Sequence, residues 1–274
     1  MDLWIAAAPA VLLILLFIHL DRKRPEPLSQ VTKVVLLGAL LCFPAALIEL
    51  IEAAALGDEL IHAQGRVVEA FLVAALTEEV LKLSVVLVCL WRRSHFDEVM
   101  DGILYTVAAS LGFALLENVL YSLGHPQLGL VRSITAVPLH AVASGIMGYC
   151  VGRARMAQTH VVAWLLLGLA LSVVIHGFYD WTVFSGGGFG VAPPDALRGV
   201  VVVLPLVLVG ALVLRYLVRH ALQLDDFWLG PHSRRLLSVR PGRASGRPPM
   251  VMISSDVTAA RAVTVVDAKM GHEP

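Results

Sequence analysis

Long apolar stretches separated by short polar connections make up most of the chain. A helix that crosses a bilayer needs about 20 predominantly apolar residues. The stretches that meet this length are 3–20, 34–56, 67–91, 101–123, 132–151, 160–183 and 197–219. They lack the alternation of apolar and polar positions that marks a membrane β-barrel. The pattern therefore predicts an all-α, polytopic transmembrane helical bundle with about seven spans.

The pattern also divides the chain into a membrane domain and a tail. Residues 1–222 are predicted to form the transmembrane helical domain, and the first stretch is interpreted as a retained span because no basic segment precedes it. Residues 223–274 are polar and rich in Pro, Gly, Ser and Arg. They are predicted to be a mostly disordered cytoplasmic tail, since they cannot bury much apolar surface.

Composition supports a membrane environment. The chain is 58% hydrophobic and 15% charged, whereas soluble domains carry about 25% charged residues. The formal net charge is zero, and no nucleic-acid-binding signature is present. The lipid bilayer is thus the predicted partner, and nucleic acid is not.

Lysine and arginine residues predict the orientation. They follow the first, third and fifth stretches and the C-terminal end, at Arg22, Lys23, Arg24, Lys33, Arg92, Arg93, Arg153, Arg155, Arg215 and Arg219. The alternate connections carry only Arg66, Arg132 and Arg198. The positive-inside rule then places the C-terminus in the cytoplasm and the N-terminus outside, in the inner (plasma) membrane.

Three ionisable residues interrupt the third apolar stretch. Glu78, Glu79 and Lys82 lie within five positions of one another. One charged side chain near the bilayer centre costs about 2.5–3.5 kcal/mol on insertion scales. Such residues are tolerated when they face a protein interior or a wet cavity, so this cluster is predicted to be functional.

Polar residues in the next three stretches reach a similar depth. Helix rise puts Glu78 roughly 17 Å, Glu117 roughly 9 Å, His140 roughly 12 Å and His176 roughly 11 Å from the outer ends of their helices. Asp180 lies one turn from His176, on the same helix face. The agreement across four consecutive helices predicts that these groups meet in one layer.

Each residue alone also has a structural interpretation. Glu78 and Lys82 could be an ion pair that fixes packing, and a lone histidine is often an interhelical hydrogen-bond partner. Asn118 is interpreted as a cross-helix hydrogen-bonding residue. Glu49 and Glu52, near the outer end of the second stretch, are predicted to be solvated. Small residues spaced as Gly148 and Gly152 are typical of close helix packing.

Carboxylates and imidazoles at one depth are suited to acid–base or metal chemistry on water. Glu78 or Glu79 could act as general base and acid. His140 and His176 could donate hydrogen bonds to an oxyanion or bind zinc, with Asp180 orienting His176. The His-Glu-x-x-His zinc motif is absent, and both mechanisms stay open.

An ordered set of motifs on these helices resembles the PrsW family of intramembrane proteases. The motifs are Glu78-Glu79-x-x-Lys82, Phe113-x-x-x-Glu117-Asn118, His140 with Gly145 and Gly148, and His176-x-x-x-Asp180. They cover residues 67–183, the predicted catalytic core. The family is similar to the CAAX prenyl proteases and bacteriocin-immunity proteins, from which this chain departs at Lys82, Glu117 and Asp180.

The resemblance implies an intramembrane endopeptidase that cleaves membrane-protein substrates. The expected catalytic residues are Glu78, Glu79, Glu117, His140, His176 and Asp180, with Lys82 and Asn118 in support. Glu117, His140 and His176 are the expected ligands if zinc is used. Two other classes of function also fit the polar cluster: a proton-coupled transporter, in which it forms a relay, and a non-catalytic regulator, in which it holds a partner helix.

Overall fold

The computed structural model of the chain describes residues 3–57, 66–124, 126–185 and 193–229, and these residues form helices joined by short connections. One of them is a π-helical segment, Glu69–Ala75. The α-helices are α1 (Leu3–Leu20), α2 (Leu28–Leu40), α3 (Cys42–Leu56), α4 (Leu76–Cys89), α5 (Val99–Gly124), α6 (Pro126–Ile134), α7 (Ala136–Ala157), α8 (Val161–Ser185) and α9 (Pro193–Leu229). No strand occurs in these four ranges, as the sequence predicts.

Helices α5 and α7 form the centre of the bundle. They pack against each other along their length, α1 and α2 cover α5, and α8 and α9 cover α7. The two helices approach each other closely because both carry glycines where they touch. A Cβ atom built on Gly148 would lie 2.5 Å from the Gly102 carbonyl oxygen. A Cβ atom on Gly152 would lie 2.4 Å from the Val99 carbonyl oxygen. The predicted role of these glycines in close packing is confirmed.

The outer helices expose large apolar side chains. Leu50 on α3, Val162 on α8 and Leu212 on α9 are each more than 60% exposed. A hydrophobic surface of this kind is unfavourable in water and is the surface that lipid tails contact. The fold is therefore a two-layer arrangement, with a buried helix pair inside and lipid-facing helices around it.

Two of the predicted spans contain a break, and a proline follows each break by three residues. The break at Leu41 separates α2 from α3 and precedes Pro44. The break at Thr135 separates α6 from α7 and precedes Pro138. Proline has no N–H and its ring clashes with the carbonyl of the residue four positions earlier, so the helix cannot continue unchanged through these points.

Five helical stretches in the described residues are long and apolar enough to cross a membrane: 28–56, 99–123, 129–157, 161–185 and 200–228. The apolar helix at 4–20 is shorter. The stretch at 69–89 is helical but carries Glu69, Glu78, Glu79 and Lys82, more charge than a simple span. An all-helical fold is thus confirmed, and the count of about seven spans stays a prediction.

Helix α9 is the last described helix, and its C-terminal part contacts the start of α5. It extends to Leu229, past the predicted boundary at 222. The acidic residues in this extension are bound to other helices: Asp225 accepts hydrogen bonds from the backbone N–H groups of Val99 and Met100, at 2.8 and 3.0 Å. These contacts stabilise the start of α5 as an N-terminal cap does. The rest of the predicted tail, 230–274, lies outside the described residues.

Candidate active site

The paired glutamates lie at the start of α4, directly after the π-helical segment. π-Helical turns are rare and often occur at functional sites, because the wider turn changes which side chains face the interior. Here Glu78, Glu79 and Lys82 all face the interior, with exposed fractions of 6%, 0% and 0%. The ammonium Nζ of Lys82 lies 2.8 Å from Glu78 Oε2 and 2.9 Å from Glu79 Oε1.

Two histidines from α7 and α8 complete the cluster. His140 Nδ1 accepts a hydrogen bond from Lys82 Nζ at 2.9 Å, because an ammonium can only donate. His176 Nδ1 lies 2.9 Å from Glu79 Oε1. The two imidazole rings meet edge to face, with centroids 4.9 Å apart. Residues of three helices that are distant in sequence are thereby joined, at the layer that helix rise predicts.

The two glutamates have different surroundings. Glu79 accepts hydrogen bonds from four side chains: Lys82 and His176 at Oε1, and Ser144 at 3.1 Å and Ser172 at 2.5 Å at Oε2. These donors occupy the four lone-pair sites of a carboxylate. Within the described part of the chain, Glu78 accepts one hydrogen bond, from Lys82. Its other charged neighbour, His176 Nε2, is 3.8 Å away, so Glu78 keeps acceptor capacity for a further molecule.

A second acidic group lies on the far side of His140. Glu117 Oε2 is 3.1 Å from His140 Nε2 and 2.6 Å from Arg132 Nη2. With Nδ1 accepting from Lys82, the His140 proton sits on Nε2 and is donated to Glu117. Lys82, His140, Glu117 and Arg132 therefore form a continuous hydrogen-bond network. Lys82 donates to His140, and both His140 and Arg132 donate to Glu117.

Aromatic rings and a further carboxylate border the cluster. The Phe113 ring covers the Lys82 ammonium at 4.5 Å from its centroid, a cation–π contact that keeps the charge away from lipid. Asp180 Oδ2 lies 3.4 Å from His176 Nε2, on the same face one turn later, as the spacing predicts.

Asn118 is the one member of the predicted set that points elsewhere. Its amide nitrogen donates to the backbone oxygens of Ala6 and Gly129 and to the Ser133 hydroxyl. These bonds join α1, α5 and α6, which is the cross-helix role predicted for it.

The sequence alone does not predict two contributors to the site, Arg132 and Ser172. The sequence indicates only that Arg132 is a basic residue in a connection between two spans. In the structure its guanidinium pairs with the Glu117 carboxylate. Ser172 could have been found, since it lies one turn before His176 on the face that also carries Asp180. Glu49 and Glu52, which the sequence predicts to be solvated, are half-buried. Glu49 Oε1 has no hydrogen-bond partner among the described residues, and Glu52 accepts a bond from Thr77 at 3.0 Å.

The central residues could hold a metal ion. Glu78, Glu79, His140 and His176 are buried, and each offers a ligand atom within 4.8 Å of the others. Carboxylate oxygens and imidazole nitrogens are normal zinc ligands. Glu117 is not a member of this group, and its carboxylate contacts His140 and Arg132.

The arrangement combines three chemical features in a nonpolar surrounding. It has a carboxylate with free acceptor capacity, imidazoles that can exchange protons, and fixed cations that pair with the carboxylates. These are the groups that activate water and stabilise an oxyanion during hydrolysis.

Comparisons with known proteins agree with this chemistry. Residues 26–211 match the model of a family described as PrsW family intramembrane metalloprotease. The chain is 39% identical to Protease PrsW of Geobacillus kaustophilus over 184 residues, which is 67% of this chain and 80% of that protein. It is 36% identical to Protease PrsW of Bacillus subtilis over 177 residues, 64% of this chain and 78% of the relative. No solved structure matches the chain. The matched region contains every residue of the buried cluster, and the chain belongs to the PrsW family of intramembrane proteases.

Proposed function

We propose that the chain hydrolyses peptide bonds of membrane-protein substrates within the bilayer, with Glu78 activating the attacking water. The observation that carries this assignment is the difference between the two glutamates. Glu79 is saturated by four donors, whereas Glu78 accepts one. A general base needs a free lone pair for the proton that it removes, and Glu78 has one.

The reaction follows from the positions of the chain's own groups. Glu78 takes a proton from water, and the hydroxide oxygen adds to the carbonyl carbon of the substrate. The peptide oxygen becomes an oxyanion, and His176 Nε2, which lies 3.8 Å from Glu78 Oε2, is the donor that we assign to it. Glu78 then gives its proton to the peptide nitrogen as the C–N bond breaks, releasing a carboxylic acid and an amine.

The surrounding residues position these groups. Lys82 holds both glutamates in place through ion pairs at 2.8 and 2.9 Å. Glu79 orients His176 through Nδ1, and Asp180 stabilises the imidazolium from the other ring nitrogen. Glu117 and Arg132 hold His140, which in turn fixes Lys82. Asn118 supports the site from a distance by joining the helices around it.

Zinc fits the donor set of Glu78, Glu79, His140 and His176 in ligand type and spacing. A bound zinc ion would lower the pKa of a coordinated water and polarise the substrate carbonyl. Lys82 contacts three of these four side chains, so its ammonium competes for the same lone pairs. Glu117 is not proposed as a ligand, because its carboxylate already pairs with Arg132.

Metal content tests this part of the proposal. We expect about one zinc per chain in detergent-purified wild type, and none in the double variant His140→Ala with His176→Ala. The matched control is His19→Ala with His95→Ala, since both of those histidines are exposed. Elemental analysis of monodisperse fractions gives the stoichiometry. The same samples, reconstituted with a panel of end-tagged single-span membrane proteins, report cleavage.

The outcomes separate the mechanisms. Zinc and cleavage lost together in the histidine variant support a metal-bound site. A folded wild type that cleaves without zinc would assign the histidines to hydrogen bonding alone. A wild type that cleaves none of the panel, but takes up protons in proteoliposomes, would favour the transporter function that family membership argues against.

We further propose that the chain crosses the plasma membrane about seven times, with the C-terminus in the cytoplasm. The helix at 69–89 supports this count, because Glu78, Glu79 and Lys82 are buried within the bundle and not exposed to lipid. The paired-glutamate motif followed by two histidine-bearing helices supports a relationship to the CAAX protease superfamily.

Cysteine labelling tests the orientation. Ser94 and Leu123 are exposed and lie at opposite ends of the bundle, before and near the end of α5. We expect a membrane-impermeant maleimide to label Leu123→Cys in intact spheroplasts and Ser94→Cys only after permeabilisation. Unsubstituted protein controls for Cys42, Cys89 and Cys150. The reverse labelling pattern would overturn the orientation.

A further inference from the structure

A second cluster of buried carboxylates lies at the other end of α5. Asp21 follows α1, and Glu98 and Asp101 lie at the start of α5. Their exposed fractions are 2%, 3% and 0%. Each offers an oxygen within 4.8 Å of the others. By helix rise, Asp101 is about 24 Å along α5 from Glu117, so this cluster is separate from the active site.

The charges around this cluster are not balanced. Glu26 and Asp225 add two further carboxylates, and Glu26 accepts a hydrogen bond from Tyr105. Among the described residues, Arg24 is the cation that contacts the cluster, through Glu98. Lys23 pairs with Asp226 on the exposed side. Buried carboxylates that outnumber their cationic partners are unfavourable unless a further cation or a proton neutralises them.

Two oxygens in the cluster have no partner. Asp101 Oδ2 accepts hydrogen bonds from the backbone N–H groups of Asp97 and Glu98, at 2.9 and 2.7 Å. Asp101 Oδ1 and Glu98 Oε2 are buried and make no hydrogen bond within the described residues. A buried carboxylate oxygen without a donor is strongly unfavourable unless a cation or a proton satisfies it.

We propose that Asp21, Glu98 and Asp101 bind one hard divalent cation of the Mg²⁺, Mn²⁺ and Ca²⁺ class. The ligands are all oxygens, which such ions prefer, and among the described residues this group contains no imidazole or thiolate that would select zinc. Glu26 is placed to add a ligand, since it forms a second group with Asp97 and Asp101. The ion would join the connection between α1 and α2 to the first turn of α5, and so stabilise the bundle without taking part in hydrolysis.

Manganese binding to the full-length, detergent-purified protein tests the site. The loss of the free Mn²⁺ signal in electron paramagnetic resonance counts bound ions, and competition with Mg²⁺ and Ca²⁺ ranks the three. We expect wild type to bind one more Mn²⁺ per chain than Asp101→Asn does. The affinity of this site for Mn²⁺ should fall at least about tenfold in the variant. The asparagine side-chain oxygen can still accept the two backbone hydrogen bonds, so the start of α5 is preserved.

A second pair of variants distinguishes the loss of the ion from a folding defect. Glu98→Gln should lose the same ion, whereas Glu69→Gln, at an exposed ion pair with Arg66, should bind as wild type does. Equal Mn²⁺ stoichiometry and affinity in wild type, Asp101→Asn and Glu98→Gln would overturn the proposal, as would a wild type that binds none. Neither result bears on proteolysis, which is measured separately.

Discussion

Glu78→Gln is expected to lower the rate of substrate cleavage at least about a hundredfold, because general acid–base catalysis contributes about 10²–10⁴ in rate. Glutamine keeps an oxygen that accepts the hydrogen bond from Lys82, but it cannot remove a proton from water. Stability should change little, since the side chain makes one hydrogen bond in the described residues. Initial cleavage rates in proteoliposomes and thermal unfolding of the same preparations measure both effects.

The control is Glu69→Gln, the same substitution on the preceding π-helical segment, where the carboxylate pairs with Arg66 at the surface. It should cleave at the wild-type rate. Glu79→Gln is the informative companion, because its amide nitrogen cannot accept the hydrogen bonds that Glu79 receives. That variant should lose thermal stability as well as activity. Cleavage by Glu78→Gln at the wild-type rate would contradict the role of Glu78 as base.

Lys82→Met is expected to destabilise the protein by about 3–5 kcal/mol, because removing one partner of a buried ion pair leaves an uncompensated charge. Lys82 is fully buried and contacts Glu78, Glu79 and His140. Without it, the two glutamates repel each other in a medium of low dielectric constant. Methionine fills a similar volume, so the loss reflects the charge and not a cavity.

Lys33→Met is the matched control, since Lys33 is exposed on α2 and should change stability by less than about 0.5 kcal/mol. Denaturant-induced unfolding in detergent micelles compares the two variants with wild type. An unfolding midpoint for Lys82→Met equal to that of Lys33→Met would show that the ammonium is not needed to hold the glutamates together.

The active-site layer shows which contacts helix periodicity can predict from the sequence. Residues four positions apart share a helix face, which pairs Glu78 with Lys82 and His176 with Asp180 without any knowledge of the fold. Equal depth in antiparallel helices then brings His140 and His176 to the same level. Helix rise does not specify rotation about the helix axis, so it could not show that Lys82 lies among Glu78, Glu79 and His140.

Contacts between helices explain what was missed. In the sequence, Arg132 has the position of a charge in a connection between spans. It contacts Glu117 because α6 packs against α5. Glu49 and Glu52 lie near a predicted span end, and they are half-buried because α3 packs against the π-helical segment and α4. The acidic cluster of Asp21, Glu98 and Asp101 joins residues nearly eighty positions apart, so no local pattern indicates it.

The sequence by itself determined the helical membrane fold, the family and the identity of the polar residues that the bilayer would otherwise exclude. These follow from local quantities: the length of apolar stretches, the spacing of side chains on one helix and the cost of charge in lipid. The tertiary structure decided which glutamate is saturated and which is free, because the donors to Glu79 include Ser144 on α7 and Ser172 and His176 on α8. Their positions depend on how these two helices are rotated about their axes. Hydrogen-bond partners are set at the scale of 3 Å, a precision that helix packing supplies and periodicity alone does not.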